Sequence, residues 1–386
     1  MAGLYVHIPF CQSRCIYCGF YSTTQNHLQQ RYIDAVCHEL ALSASHPEIS
    51  SPFNTVYIGG GTPSQLSPSL LRQLFQAIRT FACPPSPSPG PQTPASVEVT
   101  LEVNPDDVTP EFAELVKSLP VNRISMGVQT FSDERLRFLR RRHNSRQAAE
   151  AVAMLREAGV RNLSIDLIYG FPGETLDQWL SDISSALSLG VEHISAYALM
   201  YEEGTPLYRL LERGAVKETD EELSRQMFYT LKDRLEAAGY EHYEISNFAR
   251  PNHRSLHNSS YWNFTPYLGI GAAAHSFSGQ RRWWNAAHLI KYIETVESAH
   301  CLADLKQECE TITPSIHYDE VVMLRLRTRE GICLDSQLTS EERAYCMQAA
   351  RRFLDDGLLE CDGHHLRLSR NGLFVSNMVM SGLMKG

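Results

Sequence analysis

The chain has 386 residues, of which 43% are hydrophobic and 20% are charged, and its formal net charge is −9. This composition is typical of a globular protein with room for one large and one smaller domain, and the negative charge disfavours a dedicated nucleic-acid binder, which usually has a basic face. No run reaches the roughly 18 apolar residues that span a bilayer, and no signal peptide precedes the first strand-like run, so we expect a cytoplasmic protein with reduced cysteines.

Strand-like and helix-like segments alternate up to about residue 200, which predicts a parallel sheet with crossover helices. The strand-like runs are rich in β-branched residues and cover 4–9, 55–60, 96–103, 123–129, 162–168 and 193–199. The helical patterns between them cover 27–45, 67–81, 110–118, 145–158 and 174–189. Six β/α units are fewer than the eight that close a full barrel.

Residues 83–94 contain six prolines. They predict an extended, polar connection on the surface, to which we assign no function.

The rest of the chain predicts a smaller and more irregular second half. The predicted elements are a helix over 221–238, a loop-rich stretch over 240–287, helices near 288–299 and 340–356, a hairpin over 358–368 that turns at Asp362-Gly363, and a final helix. We therefore divide the chain into a barrel, an extension and a C-terminal domain, over 1–220, 221–287 and 288–386.

The last predicted elements have the outline of a winged helix, a fold that often binds DNA. Residues 317–386, however, carry ten acidic side chains against nine Lys or Arg. This near-neutral balance favours a packing or partner-docking domain over a DNA-binding one.

Three cysteines stand on one short loop after the first predicted strand. Cys11, Cys15 and Cys18 have a C-x3-C-x2-C spacing. Three thiolates can hold three corners of a cubane iron–sulfur cluster, whose fourth iron stays free to bind another molecule, whereas electron-transfer clusters usually have four cysteines. A zinc site, a disulfide with a spare thiol and three unrelated thiols are the alternatives. Zinc usually has a second ligand pair further along the chain, and none follows here.

Distinctive residues also follow the other predicted strands, at the barrel end where working residues lie. Gly59-Gly60-Gly61-Thr62-Pro63 ends the second strand, and its glycines let the backbone approach a ligand, although a tight turn explains them equally well. Glu102 and Asp166 are acids within apolar runs. Such acids need hydrogen-bond partners if they are buried, so both are candidate binding residues.

The cysteine loop also carries a family resemblance. Tyr5-x-His7-Ile8-Pro9-Phe10-Cys11-x3-Cys15-x-Tyr17-Cys18 resembles the signature of radical S-adenosylmethionine (SAM) enzymes, in the branch that contains the oxygen-independent coproporphyrinogen III oxidase (HemN) and the heme chaperone HemW. The resemblance implies a [4Fe–4S] cluster that chelates SAM, a partial (β/α)6 barrel, and a small, mostly helical C-terminal domain. Phe20 replaces a further cysteine of the oxidase, and the oxidase has a segment before its motif; both departures favour the HemW type.

The same resemblance implies a set of SAM contacts. It puts Gly60, Gly61 and Thr62 at the amino group, Arg141 at the carboxylate, and Glu102 near the ribose or the positively charged groups. The remaining implied contacts are Tyr5 and Tyr17 beside the cluster, Gln129, Asp166 on the ribose or adenine side, and Ala198 beside the adenine. The assignment of Arg141 can slip to Arg140 or Arg142, and a solvated basic helix end is the structural alternative.

A second motif lies in the loop-rich stretch. His257-Asn258-Ser259-Ser260-Tyr261-Trp262 resembles the H-N-x-x-Y-W motif that the HemW family associates with heme. A neutral imidazole is a suitable axial ligand for heme iron, and Tyr261 and Trp262 offer flat apolar faces. The alternative is that His257 caps a helix and the aromatic rings fill a core. Other possible ligands are His253, His275 and His288.

The resemblance thus implies a heme chaperone with a [4Fe–4S] cluster, SAM and heme as cofactors. Its implied partners are a heme-acceptor protein and an electron donor such as a flavodoxin or ferredoxin. The alternative is the oxidase, which decarboxylates coproporphyrinogen III with a SAM-derived radical. A winged-helix regulator with a sensing cluster is a third class, which the charge of the C-terminal domain disfavours.

Overall fold

The structure is a computed structural model that describes residues 2–44, 46–49, 52–81 and 97–386. Within them, six parallel strands follow one another in chain order, as predicted. They are β1 Gly3–Ile8, β2 Thr55–Gly60, β3 Glu98–Val103, β4 Arg123–Gln129, β5 Leu163–Tyr169 and β6 His193–Ala198. The proline-rich connection predicted over 83–94 lies outside the described residues.

Helices alternate with these strands along the chain. They are α1 Gln29–Ser43, α2 Pro68–Phe81, α3 Pro110–Ser118, α4 Asp133–Phe138, α5 Ser145–Glu157, α6 Leu176–Ser188, α7 Pro206–Glu212 and α8 Glu221–Ala237. Single turns of 3-10 helix lie at Asn26–Leu28, Pro63–Gln65 and Pro105–Asp107. The sequence specifies several helix starts locally: Asn144 and Thr175 form capping boxes with Gln147 and Gln178 at the beginnings of α5 and α6.

Short strands extend the sheet at both of its edges. The chain continues through β7 Glu241–Glu244, β8 Asn247–Ala249, α9 Leu256–Trp262, β9 Tyr267–Ile270, β10 His275–Phe277, β11 Arg281–Trp284, α10 Leu289–Ser298, a 3-10 turn at Leu302–Leu305 and β12 Glu308–Thr311. β8 pairs antiparallel with β6, and β9 pairs parallel with β1. The strand order is β12-β11-β10-β9-β1-β2-β3-β4-β5-β6-β8-β7.

A second hydrophobic core lies at the C-terminal end of the chain. Its elements are α11 Pro314–Arg325, β13 Ile332–Cys333, α12 Ser340–Asp355, β14 Leu359–Cys361, β15 His365–Leu368, α13 Arg370–Phe374 and α14 Ser376–Leu383. The three strands form an antiparallel sheet in the order β13-β15-β14, and Tyr318, Phe353 and Leu366 are among the side chains buried against it. This arrangement has the winged-helix outline that the sequence predicts.

The predicted domain bounds stay a prediction, but the packing of the elements after residue 288 differs from the predicted boundary there. Tyr292, Ile293 and Val296 of α10 are buried in the main core, and β12 is part of the large sheet. Residues 289–311 therefore pack with the barrel and not with the C-terminal core, which begins at α11. Sequence periodicity shows a helix at 289–298 but not the core against which it packs.

The C-terminal elements join the edge of the large sheet through backbone hydrogen bonds. Ile245 N–H donates to the Arg327 carbonyl at 3.1 Å, and Arg329 N–H donates to the Tyr243 carbonyl at 3.0 Å. The buried Glu244 carboxylate accepts from the Arg327 guanidinium at 2.8 Å. The connection is thus fixed by main-chain and ionic contacts. Among the described helices, none is long and apolar enough to cross a membrane.

Candidate cluster and cofactor site

The cysteine loop follows β1 at the end of the barrel where the parallel strands finish. Hydrogen bonds from Cys11 N–H to the Thr23 carbonyl (2.9 Å) and from Thr23 N–H to the Pro9 carbonyl (2.7 Å) fix its base. Ile16 N–H donates to the Leu139 carbonyl at 3.3 Å on the far side. The loop is therefore held at both ends, and Cys11, Cys15 and Cys18 all line one cavity of about 180 Å³.

Polar groups accompany all three sulfurs, and the partner of Cys18 is the Phe20 backbone. Cys11 Sγ lies 3.4 Å from Thr62 Oγ1, and Cys15 Sγ accepts from Arg141 Nη1 at 3.6 Å. Burial raises the pKa of the Cys11 and Cys18 thiols, so iron would have to favour their deprotonation. Such hydrogen bonds and a nearby cation suit thiolate ligands.

The three thiols also fit a cluster better than a single ion. In the part of the chain that the structure describes, no three His, Cys, Asp or Glu side chains converge as they would around one metal ion. The thiolates of a cubane surround one cluster but bind three different irons, so three cysteines on one loop suffice for an open iron–sulfur cluster, whereas a structural zinc site usually has four ligands.

The glycine turn after β2 packs directly against the base of the cysteine loop. A Cβ at Gly60, whose φ is 113°, would lie 2.5 Å from the His7 ring, and a Cβ at Gly61 would lie 2.7 Å from the Pro9 carbonyl carbon. The Gly60 and Gly61 amides are both used, by Glu102 (3.0 Å) and the Ile8 carbonyl (2.8 Å). What the turn offers a ligand is therefore hydrogen-bond acceptors, together with the Thr62 hydroxyl.

Two half-buried carboxylates stand on the inner wall of the barrel. Glu102 accepts from the Tyr57 hydroxyl at 2.7 Å and from Gly60 N–H. Burial, opposed by these bonds and reinforced by Asp166, raises the pKa of Glu102 to about 7. Burial likewise raises the pKa of Asp166 to about 6, although a hydrogen bond with Ser195 opposes the rise. Both acids thus titrate close to neutral pH.

An irregularity in β4, the strand between those two carboxylates, shapes the same wall. The register with β5 shifts between Gly127 and Gln129, and Gln129 has a φ of 69°. Such bulges redirect a side chain, and a Cβ at Gly127 would lie 2.8 Å from Gln129 Nε2 and 3.0 Å from Arg141 Nη2. The bare glycine therefore leaves room for both side chains in the cavity.

The three consecutive arginines have different surroundings. Arg141 donates to Asn104 Oδ1 at 2.8 Å and to Cys15 Sγ. Arg142 instead forms ion pairs with Asp106 (2.6 Å) and Asp107 (2.8 Å). Both side chains contact the cysteine loop, since Arg142 also donates to Gln12 Oε1, but Arg142 is already neutralised by its two ion pairs. Arg141 contacts a cysteine sulfur instead, which favours it over Arg142 as the predicted anion contact.

A larger cavity of about 520 Å³ shares part of its lining with the first. Tyr17, Glu102, Gln129, Asp166 and Ala198 all line it. Its mouth carries exposed apolar side chains: Phe20 is 72% exposed and Met200 is 60% exposed.

The structure thus gathers nearly all of the predicted SAM contacts at one end of the barrel, with one exception. Tyr5 lines neither cavity. Its hydroxyl bonds His7 Nδ1 at 2.9 Å, and its ring faces Tyr57 and His257. In this conformation the Tyr5 side chain packs in the barrel wall and reaches neither cavity.

His257 is placed differently from the prediction for a heme ligand. It lies where β1 and β2 begin, because its Nδ1 bonds Thr55 Oγ1 at 2.8 Å, and its Nε2 bonds the Tyr261 hydroxyl at 2.9 Å. The side chain is buried, which lowers the pKa of His257 to about 3. Neither ring nitrogen is free for iron, so ligation would require these hydrogen bonds to break. This conformation shows His257 as a packed, hydrogen-bonded side chain, as in the structural alternative, but Ser255 and not His257 caps α9, and Tyr261 and Trp262 are half-buried.

The other candidate histidines are also engaged or remote. His288 accepts from Lys291 N–H at the start of α10 (3.2 Å), and the exposed His275 stacks on Trp284. The His253 carbonyl accepts from Arg123. None of the three lines either cavity.

Several lining residues escaped the sequence interpretation. Tyr57, Asn104, Ser125 and Ser195 all line a cavity. Strand alternation gives a signal for them, because inward side chains repeat every second residue. Asn104 is two positions after Glu102, and Ser125 is four before Gln129.

Comparison with known proteins assigns the family. The Radical SAM superfamily model matches residues 5–186, and the model of the HemN C-terminal domain matches residues 312–375. The heme chaperone HemW of Mycobacterium tuberculosis is 34% identical over 389 residues, which cover 99% of this chain and 94% of that protein. The chain belongs to the HemW family.

Other relatives extend this similarity. HemW of Bacillus subtilis is 34% identical over 86% of this chain and 85% of that protein. The bovine radical S-adenosyl methionine domain-containing protein 1, mitochondrial, is 30% identical over 99% of this chain and 87% of that protein. The solved structure of coproporphyrinogen III oxidase (HemN) from Escherichia coli matches with a TM-score of 0.82 and 21% identity, covering 100% of this chain and 90% of that one. At that identity the likeness shows the fold.

These findings confirm the predicted family and fold. A radical SAM domain implies a [4Fe–4S] cluster and SAM, and the cavity of this HemW relative has the donors to hold both. The roles of individual residues stay predictions.

Proposed function

We propose that this chain is a heme chaperone, which binds heme and passes it to an acceptor protein. The observation that carries the proposal is its 34% identity to the heme chaperone HemW along nearly the whole length of both chains. Phe20, exposed at the cavity mouth where the oxidase has a further cysteine, supports it against the oxidase alternative. A heme acceptor, an electron donor of the flavodoxin or ferredoxin kind, and a cytoplasmic location belong to the proposal.

In this proposal Cys11, Cys15 and Cys18 hold the cluster. When it is bound, its open iron supplies a coordination site for the SAM amino and carboxylate groups. The carbonyls of Gly60 and Gly61 and the Thr62 hydroxyl are acceptors for the amino group, and the Arg141 guanidinium is suited to the carboxylate.

The remaining side chains would bind the nucleoside part of SAM. Glu102 and Asp166 are hydrogen-bond acceptors for the ribose hydroxyls. Gln129 offers an amide beside them, and Tyr17 and Ala198 line the adenine side. Because SAM is positively charged at its sulfonium and amino groups, its presence would favour the ionised form of Glu102.

The proposal does not depend on His257 as the heme ligand. Heme ligation by His257 stays a prediction that requires α9 to rearrange, since Thr55 and Tyr261 occupy both of its ring nitrogens. The ligand can be tested separately from the activity.

The test uses anaerobically reconstituted protein. We expect one heme per chain in a hemin titration, and no protoporphyrinogen IX from coproporphyrinogen III with SAM and a reductant. The Cys15→Ser variant should lose the cluster absorbance, while Cys361→Ser, at an exposed cysteine in β14, should keep it. Efficient turnover of coproporphyrinogen III would contradict the proposal and establish the oxidase.

A further inference from the structure

Tyr57 lines the larger cavity and also stacks on His257 of the H-N-x-x-Y-W motif. Its hydroxyl donates to Glu102 Oε1 at 2.7 Å, while Gly60 N–H donates to Oε2 at 3.0 Å. Both oxygens of the half-buried carboxylate are thus fixed by donors from β2. Two hydrogen bonds from one strand set both the position and the rotation of the carboxylate.

Gly59 makes room for this contact. A Cβ on Gly59 would lie 2.7 Å from Tyr57 Cε1 and 2.8 Å from both Glu102 Cδ and Oε1. The tyrosine and the carboxylate therefore meet over a position where any side chain would displace one of them.

The His257 ring lies beneath Tyr57. Their ring centroids are 5.1 Å apart with an interplanar angle of 28°. Thr55 and Tyr261 fix the orientation of the imidazole through its two nitrogens. The stack thus limits how far the Tyr57 ring can move away from Glu102.

Helix α9 is itself anchored to the strands that carry these residues. Leu256 N–H and His257 N–H donate to the two oxygens of Glu98 at 3.1 and 2.9 Å. Glu98 begins β3, which bears Glu102, and Thr55 begins β2, which bears Tyr57. Helix α9 therefore closes the bottom of the barrel in a fixed register with both strands.

We propose that Tyr57 is a positioning residue that fixes the Glu102 carboxylate for SAM, and that His257 holds the Tyr57 ring in place from below. The inference rests on the proposed contact between Glu102 and SAM. It gives the H-N-x-x-Y-W motif a role in SAM binding through packing, without iron.

The test is a double-mutant cycle on the full chain with its cluster reconstituted, read as the Kd of SAM. Without the Tyr57 hydroxyl the Glu102 side chain must be ordered when SAM binds, and ordering one side chain costs about 0.5–1.5 kcal/mol, so Tyr57→Phe should weaken SAM binding about threefold to tenfold. In a Glu102→Gln background, the same change should alter the Kd less than twofold. Tyr318→Phe, which removes a buried tyrosine hydroxyl that bonds the Leu383 carbonyl in the C-terminal core, is the matched control and should leave the Kd unchanged.

The His257 part is tested by His257→Phe, which keeps an aromatic ring but removes both hydrogen bonds. We expect it to weaken SAM binding several-fold in the wild-type background and not in the Glu102→Gln background. Equal losses in both backgrounds would show general damage and overturn the coupling.

The outcomes separate the inference from the proposed function. If Glu102→Gln weakens SAM binding but Tyr57→Phe does not, the positioning role is wrong and the SAM site stands. If the wild-type reconstituted chain binds no SAM, the proposed site itself fails. If His257→Phe abolishes hemin binding and leaves the Kd of SAM unchanged, the motif acts on heme and the packing role is overturned.

Discussion

Glu102 and Asp166 are acids on the inner wall, on strands β3 and β5, and the charge of Asp166 raises the energetic cost of ionising Glu102. Glu102 accepts hydrogen bonds from two donors, which lower its pKa, yet burial outweighs them and raises the pKa of Glu102 to about 7. The pKa of Asp166 rises to about 6 for the same reason. At a pH between the ordinary and the raised pKa values, the folded protein therefore keeps protons on these acids that the unfolded chain releases.

This difference predicts a pH dependence of stability for the protein without cofactors. Because the folded-state pKa of Glu102 lies above its ordinary value of 4.5, the contribution of Glu102 is fully present below that value. It is lost as the pH rises to about 7, so the free energy of unfolding should fall over this range. One pKa unit corresponds to about 1.4 kcal/mol, so the loss amounts to a few kcal/mol.

Urea unfolding between pH 5 and pH 8 measures this loss. The Glu102→Gln variant should show a shallower decline than the wild type, whereas Glu212→Gln, at an exposed position in α7, should decline like the wild type. Identical slopes for the wild type and Glu102→Gln would remove Glu102 as the cause.

Single residues also show what sequence reasoning could and could not find. An acid within an apolar strand is visible in the sequence, which is how Glu102 and Asp166 were predicted. The partner of Glu102 was missed because Tyr57 stands on another strand, 45 residues earlier. The H-N-x-x-Y-W motif is equally visible in the sequence. The sequence does not show that Thr55, at the start of β2, is hydrogen-bonded to Nδ1 of His257.

At the scale of elements, length decides what the sequence predicts. The six central strands have six or seven residues each and match the predicted runs closely. β7 to β12 have three or four residues each, too few to show an alternating pattern. Their pairing comes from tertiary contacts, so the stretch over 240–287 was predicted only as loop-rich.

One such contact is a buried carboxylate on α1. Glu39 accepts hydrogen bonds from Gly271 N–H (2.9 Å), Asn285 Nδ2 (2.7 Å) and the Tyr292 hydroxyl (2.5 Å). These donors come from the β9–β10 turn, the end of β11 and α10. Glu39 thus ties three later segments to the first helix of the barrel.

We expect Glu39→Ala to lower the free energy of unfolding by about 3 kcal/mol or more, because it leaves three buried donors without an acceptor. Urea denaturation measures the loss. Asp34→Ala, on the exposed face of the same helix, should cost less than about 1 kcal/mol. Similar losses for the two variants would show that the Glu39 contacts contribute no more than a surface carboxylate does.

At the scale of the whole molecule, the alternation of strands and helices predicts the barrel, and the terminal pattern predicts the winged-helix outline. The arrangement of the two depends on contacts that no local pattern contains, such as the hydrogen bonds that join Ile245 to Arg327 and Tyr243 to Arg329. The sequence also could not show that residues 289–311 complete the large sheet. Burial of α10 against the barrel decides this.

Because winged-helix folds often bind DNA, the C-terminal domain raises DNA binding as a function to test. In helix-turn-helix modules the second helix enters the major groove, and α12 holds the comparable place before the hairpin of β14 and β15. Its first turn carries Glu341 and Glu342, and Arg343 is paired with Asp335. Arg351 and Arg352, later in the same helix, are exposed cations, but the net charge of −9 for the chain opposes binding to phosphates.

We therefore expect no retention of duplex DNA at about 0.15 M salt in a filter-binding or gel-shift assay, and at most weak, sequence-independent binding at low salt. A variant with Glu341→Lys and Glu342→Lys provides the positive control, since it puts two cations on the first turn of α12 and should bind measurably at low salt. Sequence-selective retention by the wild type that persists at physiological salt would contradict this expectation. It would restore the regulator alternative, because such binding cannot come from counterion release alone.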